Sequence, residues 1–343
     1  MNWLEAGWYN RHKQTHLLWP LTWLFSGISA ARRLCYRLGL KKQIDSRLPV
    51  IVVGNITVGG TGKTPFVLYL CSLLKAQGYR PAIVSRGYGA NKDSGDFPRL
   101  IVATSDVGFS GDEPKLLAMR SGCPVVIAPK RVEAVEYVCR HTDADIIISD
   151  DGLQHYAMGR SMEIVLIDGD RKLGNGHLLP VGPLREPESR LRSVDLVIEN
   201  AGFQSSNSKK SEDYRLTTGK IYNLLDPGQT LVPKAKNTVH LVSGIGNPER
   251  FVQTALGVGL SIAASHWFAD HHDFKAADFS QLAVADDEIL LMTEKDAVKC
   301  ASFAKANWYA LPISAEISDS LESEIIRLVE LKCKTNTRSH HGL

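Results

Sequence analysis

One stretch, Pro49 to Pro65 (PVIVVGNITVGGTGKTP), limits what this chain can fold into more than any other. Val50 to Val53 is a short continuous run of β-branched residues, the pattern of a strand buried on both faces. Glycines follow at 54, 59, 60 and 62, and Lys63-Thr64 then open an apolar-periodic helix. Pro65 falls in its first turn, where a missing N–H is harmless. Strand, glycine turn, Gly-Lys-Thr and helix make a phosphate loop. Its backbone N–H groups and the helix N-terminus attract anionic oxygens, its lysine reaches the β- and γ-phosphates, and its hydroxyl ligates Mg²⁺. Gly59, Gly60, Thr61, Gly62, Lys63 and Thr64 are the nucleotide-binding candidates, with ATP and Mg²⁺ as cofactors and Thr64 as a metal ligand. The common loop has glycine where this chain has Thr57. Here the glycines crowd later, as in the deviant GGxGK[ST] loop, but with Val58 where that branch often carries lysine. A glycine-rich strand–helix turn that binds nothing is the plain alternative.

The rest of the chain repeats the alternation. Strands are expected at Arg80–Ser85, Leu100–Ala103, Pro124–Ala128, Asp145–Ser149, Glu163–Ile167 and Asp195–Ile198. Helices are expected at 63–77, 111–120 and 130–140. Apolar strands alternating with helices predict an α/β fold: a P-loop NTPase-like α/β/α sandwich whose mainly parallel sheet is covered on both faces. Ligands in such sheets bind at the carboxyl ends of the strands, where the phosphate loop, Arg86, Asp150 and Asp168 all fall. At 343 residues the chain exceeds one ordinary core. The expected organisation is an N-terminal helical segment over 1–48, a nucleotide domain over 49–203 and a linker with β-strands over 204–240. A smaller α/β domain over 241–333 follows, then a polar tail over 334–343. The polar run QSSNSKKSED (204–213) begins the linker, and a last helix is expected around 317–332.

Residues 1–48 differ in kind. They hold four of the six tryptophans, and the first 47 residues carry eight lysines and arginines against two acids. The apolar run from Leu17 to Ala31 is too short and too interrupted to span a bilayer, which takes about 20 residues. Trp, Leu and Phe beside basic clusters suit a helix lying on an anionic membrane surface; a helix packed on its own domain is the alternative. The net charge of +3 is too small to argue for nucleic acid, and none is expected as a partner. The six scattered cysteines form no C-x-x-C pair and read as reduced thiols.

Several polar groups could carry chemistry. Asp150-Asp151 ends an apolar strand about 90 residues after the phosphate loop, the position of a Mg²⁺-holding carboxylate. It continues into Gly152-Leu-Gln154-His155. Asp112, in Gly111-Asp-Glu-Pro114, reads from periodicity as a helix cap or as a carboxylate that accepts a hydroxyl proton beside the γ-phosphate. Asp270-His271-His272-Asp273 could be a solvated loop or a metal cluster, but it lacks the spacing of a helical metal pair; a histidine partner for a catalytic carboxylate fits better. Arg86, Arg131 and Arg185 stand beside expected element ends, where arginine suits phosphate.

Together these segments resemble the tetraacyldisaccharide 4′-kinase (lipid A 4′-kinase) family. The matching motifs are Gly54-Asn-x₃-Gly-Gly-Thr-Gly-Lys-Thr-Pro65, Ser85-Arg-Gly-Tyr-Gly89, Gly111-Asp-Glu-Pro114, Asp150-Asp-Gly-Leu-Gln-His155, Pro183-Leu-Arg-Glu-Pro187, Asp270-His-His272 and Thr293-Glu-Lys-Asp296. The resemblance implies two α/β/α domains joined by a β-strand linker, with the site between them. It implies transfer of the ATP γ-phosphate to the 4′-hydroxyl of a tetraacyldisaccharide 1-phosphate, giving lipid IVA in lipid A biosynthesis. It also implies a monomer, peripheral or monotopic, on the cytoplasmic face of the inner membrane. On it, Asp112 becomes the acceptor-activating base, supported by His271, with His272 as the alternative. Asp151 and Glu186 join Thr64 near the metal, and Arg86, Tyr88, Arg131, Asp150, Gln154, His155 and Arg185 line the phosphate and sugar sites. The rival class is a membrane-associated ATPase switch with the deviant loop.

Overall fold

The structure is a computed structural model and describes residues 3–9, 13–201, 213–233, 238–282, 284–285 and 287–339. All but the last residue of the polar 204–213 run, and the last four residues of the tail, lie outside them. The first unit is a seven-stranded sheet: β1 (Val50–Gly54), β2 (Pro81–Ser85), β3 (Arg99–Ile101), β4 (Val125–Ile127), β5 (Ile146–Asp150), β6 (Met162–Asp168) and β7 (Leu196–Asn200). The order is β3-β4-β2-β5-β1-β6-β7. Only β3 runs antiparallel to its neighbour; the other pairs are parallel. The unbroken apolar run of β1 has a direct cause. Ile51 and Val53 enter the core on one face, while Val50 and Val52 enter the core on the other.

The helices take their places against this frame. At the N-terminus are α1 (Trp3–Tyr9) and α2 (Trp19–Arg37). Crossing the first sheet are α3 (Lys63–Ala76), α4 (Val107–Ser110), α5 (Asp112–Ser121) and α6 (Arg131–His141). Phe66, Leu70, Leu73 and Leu74 recur at helical spacing on the buried face of α3. The chain leaves the sheet through β8 (Tyr214–Thr218). It then builds a second, six-stranded sheet from β9 (Ile221–Asn223), β10 (Thr230–Leu231), β11 (Thr238–Ser243), β12 (Ser261–Trp267), β13 (Ile289–Thr293) and β14 (Trp308–Leu311), in the order β10-β9-β14-β13-β11-β12. Helices α7 (Pro248–Gly257), α8 (Ala276–Ser280) and α9 (Glu294–Cys300) belong to it. The fold is thus a P-loop NTPase-like α/β architecture with a second, smaller α/β unit. The helix α9 and the strands β10 and β14 have no counterpart in the sequence reading.

The return path corrects the expected boundary at 333. Strand β15 (Ile313–Ile317) pairs antiparallel with β8 as a two-stranded ribbon. After it, α10 (Asp319–Ser339) packs Leu321, Ile325, Leu328, Val329 and Cys333 into the same core as Phe66 and Leu70 of α3. The last helix therefore covers the first sheet, not the second. It also runs on through 334–339, which the sequence assigned to a polar tail.

Candidate active site

The phosphate loop is shaped by contacts that the glycine count alone does not show. Residues 56–58 run extended against 183–185: Arg185 N donates to Ile56 O at 2.7 Å, and Val58 N donates to Pro183 O at 2.9 Å. Thr57 lies in that bridge opposite Leu184, buried, so glycine has no advantage there. The left-handed turns fall later, at Gly59 (φ +111°) and Gly62 (φ +83°). A Cβ at Gly62 would stand 2.8 Å from the Tyr214 hydroxyl, which donates to Gly62 O at 2.8 Å. Gly60 faces open space and Thr61 is buried with its hydroxyl unpartnered. Lys63 and Thr64 form the first turn of α3.

Around the loop stand the ends of β5 and of the 183–186 segment. Lys63 Nζ lies 3.5 Å from Asp151 Oδ1, and Arg185 Nη1 donates to Asp151 Oδ2 at 3.1 Å. Burial pushes the Asp151 carboxyl up, but Lys63 and Arg185 outweigh it and hold the group at about 2. Asp150 behaves oppositely. Burial, reinforced by Glu113 and Asp151, raises its carboxyl to about 7. Two carboxylates, Asp150 and Asp151, beside one lysine are donors that a divalent cation would balance. Among the described residues no group of three or more His, Cys, Asp or Glu could hold a metal alone. A Mg²⁺ site here would need phosphate oxygens as further ligands, its ordinary habit.

Other predicted residues turn inward. Arg131 is buried, and its guanidinium donates to Ala128 O (3.3 Å) and Asp150 O (3.2 Å), tying the ends of β4 and β5. Burial lowers it to about 10. Glu186 is buried with both oxygens engaged, accepting from Gln154 Nε2 (2.9 Å) and from the Tyr156 hydroxyl, with Arg190 at 3.4 Å. Gln154 also donates to Asn55 O at 3.1 Å, beside the loop. His155 is pushed down to about 4 by burial and by Arg131, Arg86 and Arg32, so it is neutral at neutral pH. Arg86 and Tyr88 are exposed beyond β2. Asp168, placed at a strand end by the sequence, pairs instead with Arg250 of α7 at 3.0 Å.

The second half of the site spans the two units. Asp112 opens α5 behind Gly111, where any Cβ would collide with the Tyr88 carbonyl. Across the gap, His271 Nδ1 donates to Asp112 Oδ2 at 2.9 Å, and the Tyr88 ring lies 4.8 Å from the imidazole. His272 Nε2 donates instead to Asp278 Oδ2 at 3.0 Å, at the start of α8. Burial raises the Asp112 carboxyl, yet the His271 hydrogen bond and the charges of Lys295, His271 and Lys299 bring it below its ordinary value. The hydrogen bond to Asp112 raises His271 against its partial burial. Sequence reasoning singled out neither Lys295, 2.7 Å from Glu113, nor Glu294, 2.7 Å from Arg120. Their only signal was the Thr293–Asp296 motif.

The chain as a whole is similar to known proteins. A family model described as tetraacyldisaccharide-1-P 4′-kinase matches residues 14–330. The tetraacyldisaccharide 4′-kinase of Psychromonas ingrahamii is 47% identical over 327 residues, 95% of this chain and 99% of its own length. That of Aeromonas salmonicida is 44% identical over 340 residues, 99% of this chain and 100% of its own. A crystal structure of LpxK from Aquifex aeolicus in complex with ATP is similar with a TM-score of 0.74 at 26% identity, covering 92% of this chain and 99% of that one.

Proposed function

The chain belongs to the tetraacyldisaccharide-1-P 4′-kinase family, and on that premise we propose how its own residues perform the reaction. It is an ATP-dependent kinase that phosphorylates the 4′-hydroxyl of a tetraacyldisaccharide 1-phosphate in lipid A biosynthesis; the product is lipid IVA. The Asp112–His271 pair carries the proposal: a buried carboxylate and an imidazole, 2.9 Å apart, meet from two separate units. Glu113, next to Asp112, is in electrostatic reach of Asp150, and Asp150 of Lys63. Proton acceptor and phosphate loop thus share one neighbourhood.

The steps follow from these positions. Backbone N–H groups of residues 59–64 and the α3 N-terminus bind the β- and γ-phosphates, and Lys63 neutralises charge there. Thr64 and Asp151 would hold Mg²⁺, which would neutralise charge developing on the transferred phosphate. Glu186, whose oxygens already serve Gln154, Tyr156 and Arg190, positions Gln154. Arg185 keeps Asp151 ionised and beside Lys63. The acceptor hydroxyl attacks the γ-phosphorus, the bond to the β–γ bridging oxygen breaks, and ADP leaves. The hydroxyl proton passes to Asp112, and His271 stabilises the carboxylate beforehand. Arg86, Tyr88 and His155 face the acceptor's sugar and phosphate.

The acceptor is a lipid, and the N-terminal helices offer a place for its membrane. In α2, Leu21, Leu24 and Ile28 recur at helical spacing, and they and Leu17, in the 3-10 turn just before it, are each more than half exposed. On the other side of α2 Thr22 bonds the 178–181 loop, and Trp8 of α1 donates to Pro180 O at 2.9 Å. Among the described residues no helix is long and apolar enough to cross a membrane. The protein works as a peripheral or monotopic monomer on the cytoplasmic face of the inner membrane, its apolar stripe in the interfacial layer. The test is transfer of label from γ-labelled ATP to the lipid disaccharide in mixed micelles. Acceptor-dependent labelling is expected. ATP hydrolysis at the same rate without acceptor would favour the ATPase switch.

A further inference from the structure

The Thr293–Asp296 stretch takes no part in the chemistry above, yet it touches the elements that carry both halves of the Asp112–His271 pair. Asp296 is fully buried. Its Oδ2 accepts from Ser243 Oγ (3.1 Å), Gly244 N (3.2 Å) and Thr293 Oγ1 (2.7 Å), and Lys299 Nζ stands 2.9 Å from Oδ1. Gly244 O in turn accepts from His271 N at 3.1 Å. Asp296 therefore fixes the turn from which His271 hangs. On the other side, Lys295 Nζ lies 2.7 Å from Glu113 Oε1, one residue after Asp112. Glu294 receives Arg120 at the far end of α5.

We propose that Lys295 is a positioning residue for the phosphoryl transfer. It holds the first turn of α5 against the first turn of α9 and supplies the positive charge that keeps Asp112 ionised, while Asp296 fixes His271 opposite. The inference rests on the reading of Asp112–His271 as the proton-accepting pair. A solvated ion pair would be worth little, but this one joins two units and keeps only 27% of the lysine side chain exposed. Asp112 is faced by His271 from its loop, by Lys295 and Lys299 from α9, and by Glu113 from its own helix. His271 is faced by Asp112, Lys295 and Asp270. Removing the ammonium leaves Glu113 unbalanced, so carboxyl and imidazole both hold protons more tightly. The acidic limb of the rate profile then moves up whichever of the two sets it.

The experiment uses the full chain with ATP and the lipid acceptor. K295M should lower kcat roughly 10-fold with the KM for ATP nearly unchanged. Its acidic limb should move up by about half to one pH unit. K295R should keep the limb where it is and recover most of the rate. If Met is not tolerated, K295Q keeps a hydrogen-bonding stem without the charge. An NMR titration of the His271 imidazole, independent of turnover, should then move up in K295Q and stay in place in K295R. A slower K295M with an unmoved limb, an unmoved titration in K295Q, or a K295R that behaves like K295M would overturn the proposal. Failure of the underlying reading looks different: D112N would transfer phosphate at a near wild-type rate whatever Lys295 does.

Discussion

His271 occupies the left-handed region at φ +59°, where a residue with a side chain costs about 1–3 kcal/mol. The bond from its N–H to Gly244 and the ion pair with Asp112 offset that cost. Asp112→Asn should cut kcat by roughly 10²–10⁴-fold while leaving the ATP dissociation constant nearly intact; unchanged transfer would return Asp112 to the role of a cap. The pair also has a pH signature. His271 is raised above its unfolded value of about 6.5, so its contribution to stability is complete below that pH and fades as pH rises through the folded value. Asp112 is lowered beneath its unfolded value of about 3.9, so its contribution is complete above that pH and fades as pH falls through the folded value. His271→Gln should therefore destabilise most between about pH 4 and 6.5. Urea midpoints should show the gap to wild type narrowing toward pH 9; a gap independent of pH would mean that the ring packs without ionising. In the sequence, Asp112 could be a cap or a base, and His271 was preferred with His272 left as the alternative. Each choice depends on a partner more than 150 residues away or on a helix start that periodicity does not fix.

Elements show a different balance. The phosphate loop was legible because strand, turn and helix are contiguous, and Gly62 with Lys63-Thr64 meets a local steric demand. Helix α9 was not legible, being seven residues long and opened by Glu294, Lys295 and Asp296, whose partners lie on other elements. Helix α2 was half legible. Its apolar and aromatic run announced a helix, but which face would stay open depended on the loop at 178–181. With Thr22 and Trp8 holding that loop, the stripe through Leu21, Leu24 and Ile28 stays more than half exposed among the described residues. Replacing these three by Glu should leave transfer to acceptor in detergent micelles within a few-fold. Co-sedimentation with anionic vesicles should fall by about 10-fold or more, since each buried leucine or isoleucine contributes about 1.5–3 kcal/mol. Undiminished sedimentation would assign membrane binding to another surface.

At the scale of the whole molecule, the phosphate loop and Asp112 belong to the first unit and His271 to the second, and the chain crosses between them twice, through β8 and β15. The crossing explains why the last helix was misplaced in the sequence reading. An amphipathic pattern says that a helix covers something apolar, not which sheet it covers, and α10 follows a strand that returns to the first unit. Ile325, fully buried between α10 and the first sheet, separates the two assignments. Ile325→Ala should cost about 2–5 kcal/mol in the unit that holds the phosphate loop. Saturating ATP with Mg²⁺, which binds only the folded unit, should restore about 2.7 kcal/mol at 100 times its dissociation constant. The measurement is the thermal midpoint of the variant with and without nucleotide. If α10 stabilised only the second unit, the midpoint of its unfolding would drop and nucleotide would not raise it. The helix that ends the chain would then have no part in holding the phosphate loop in shape.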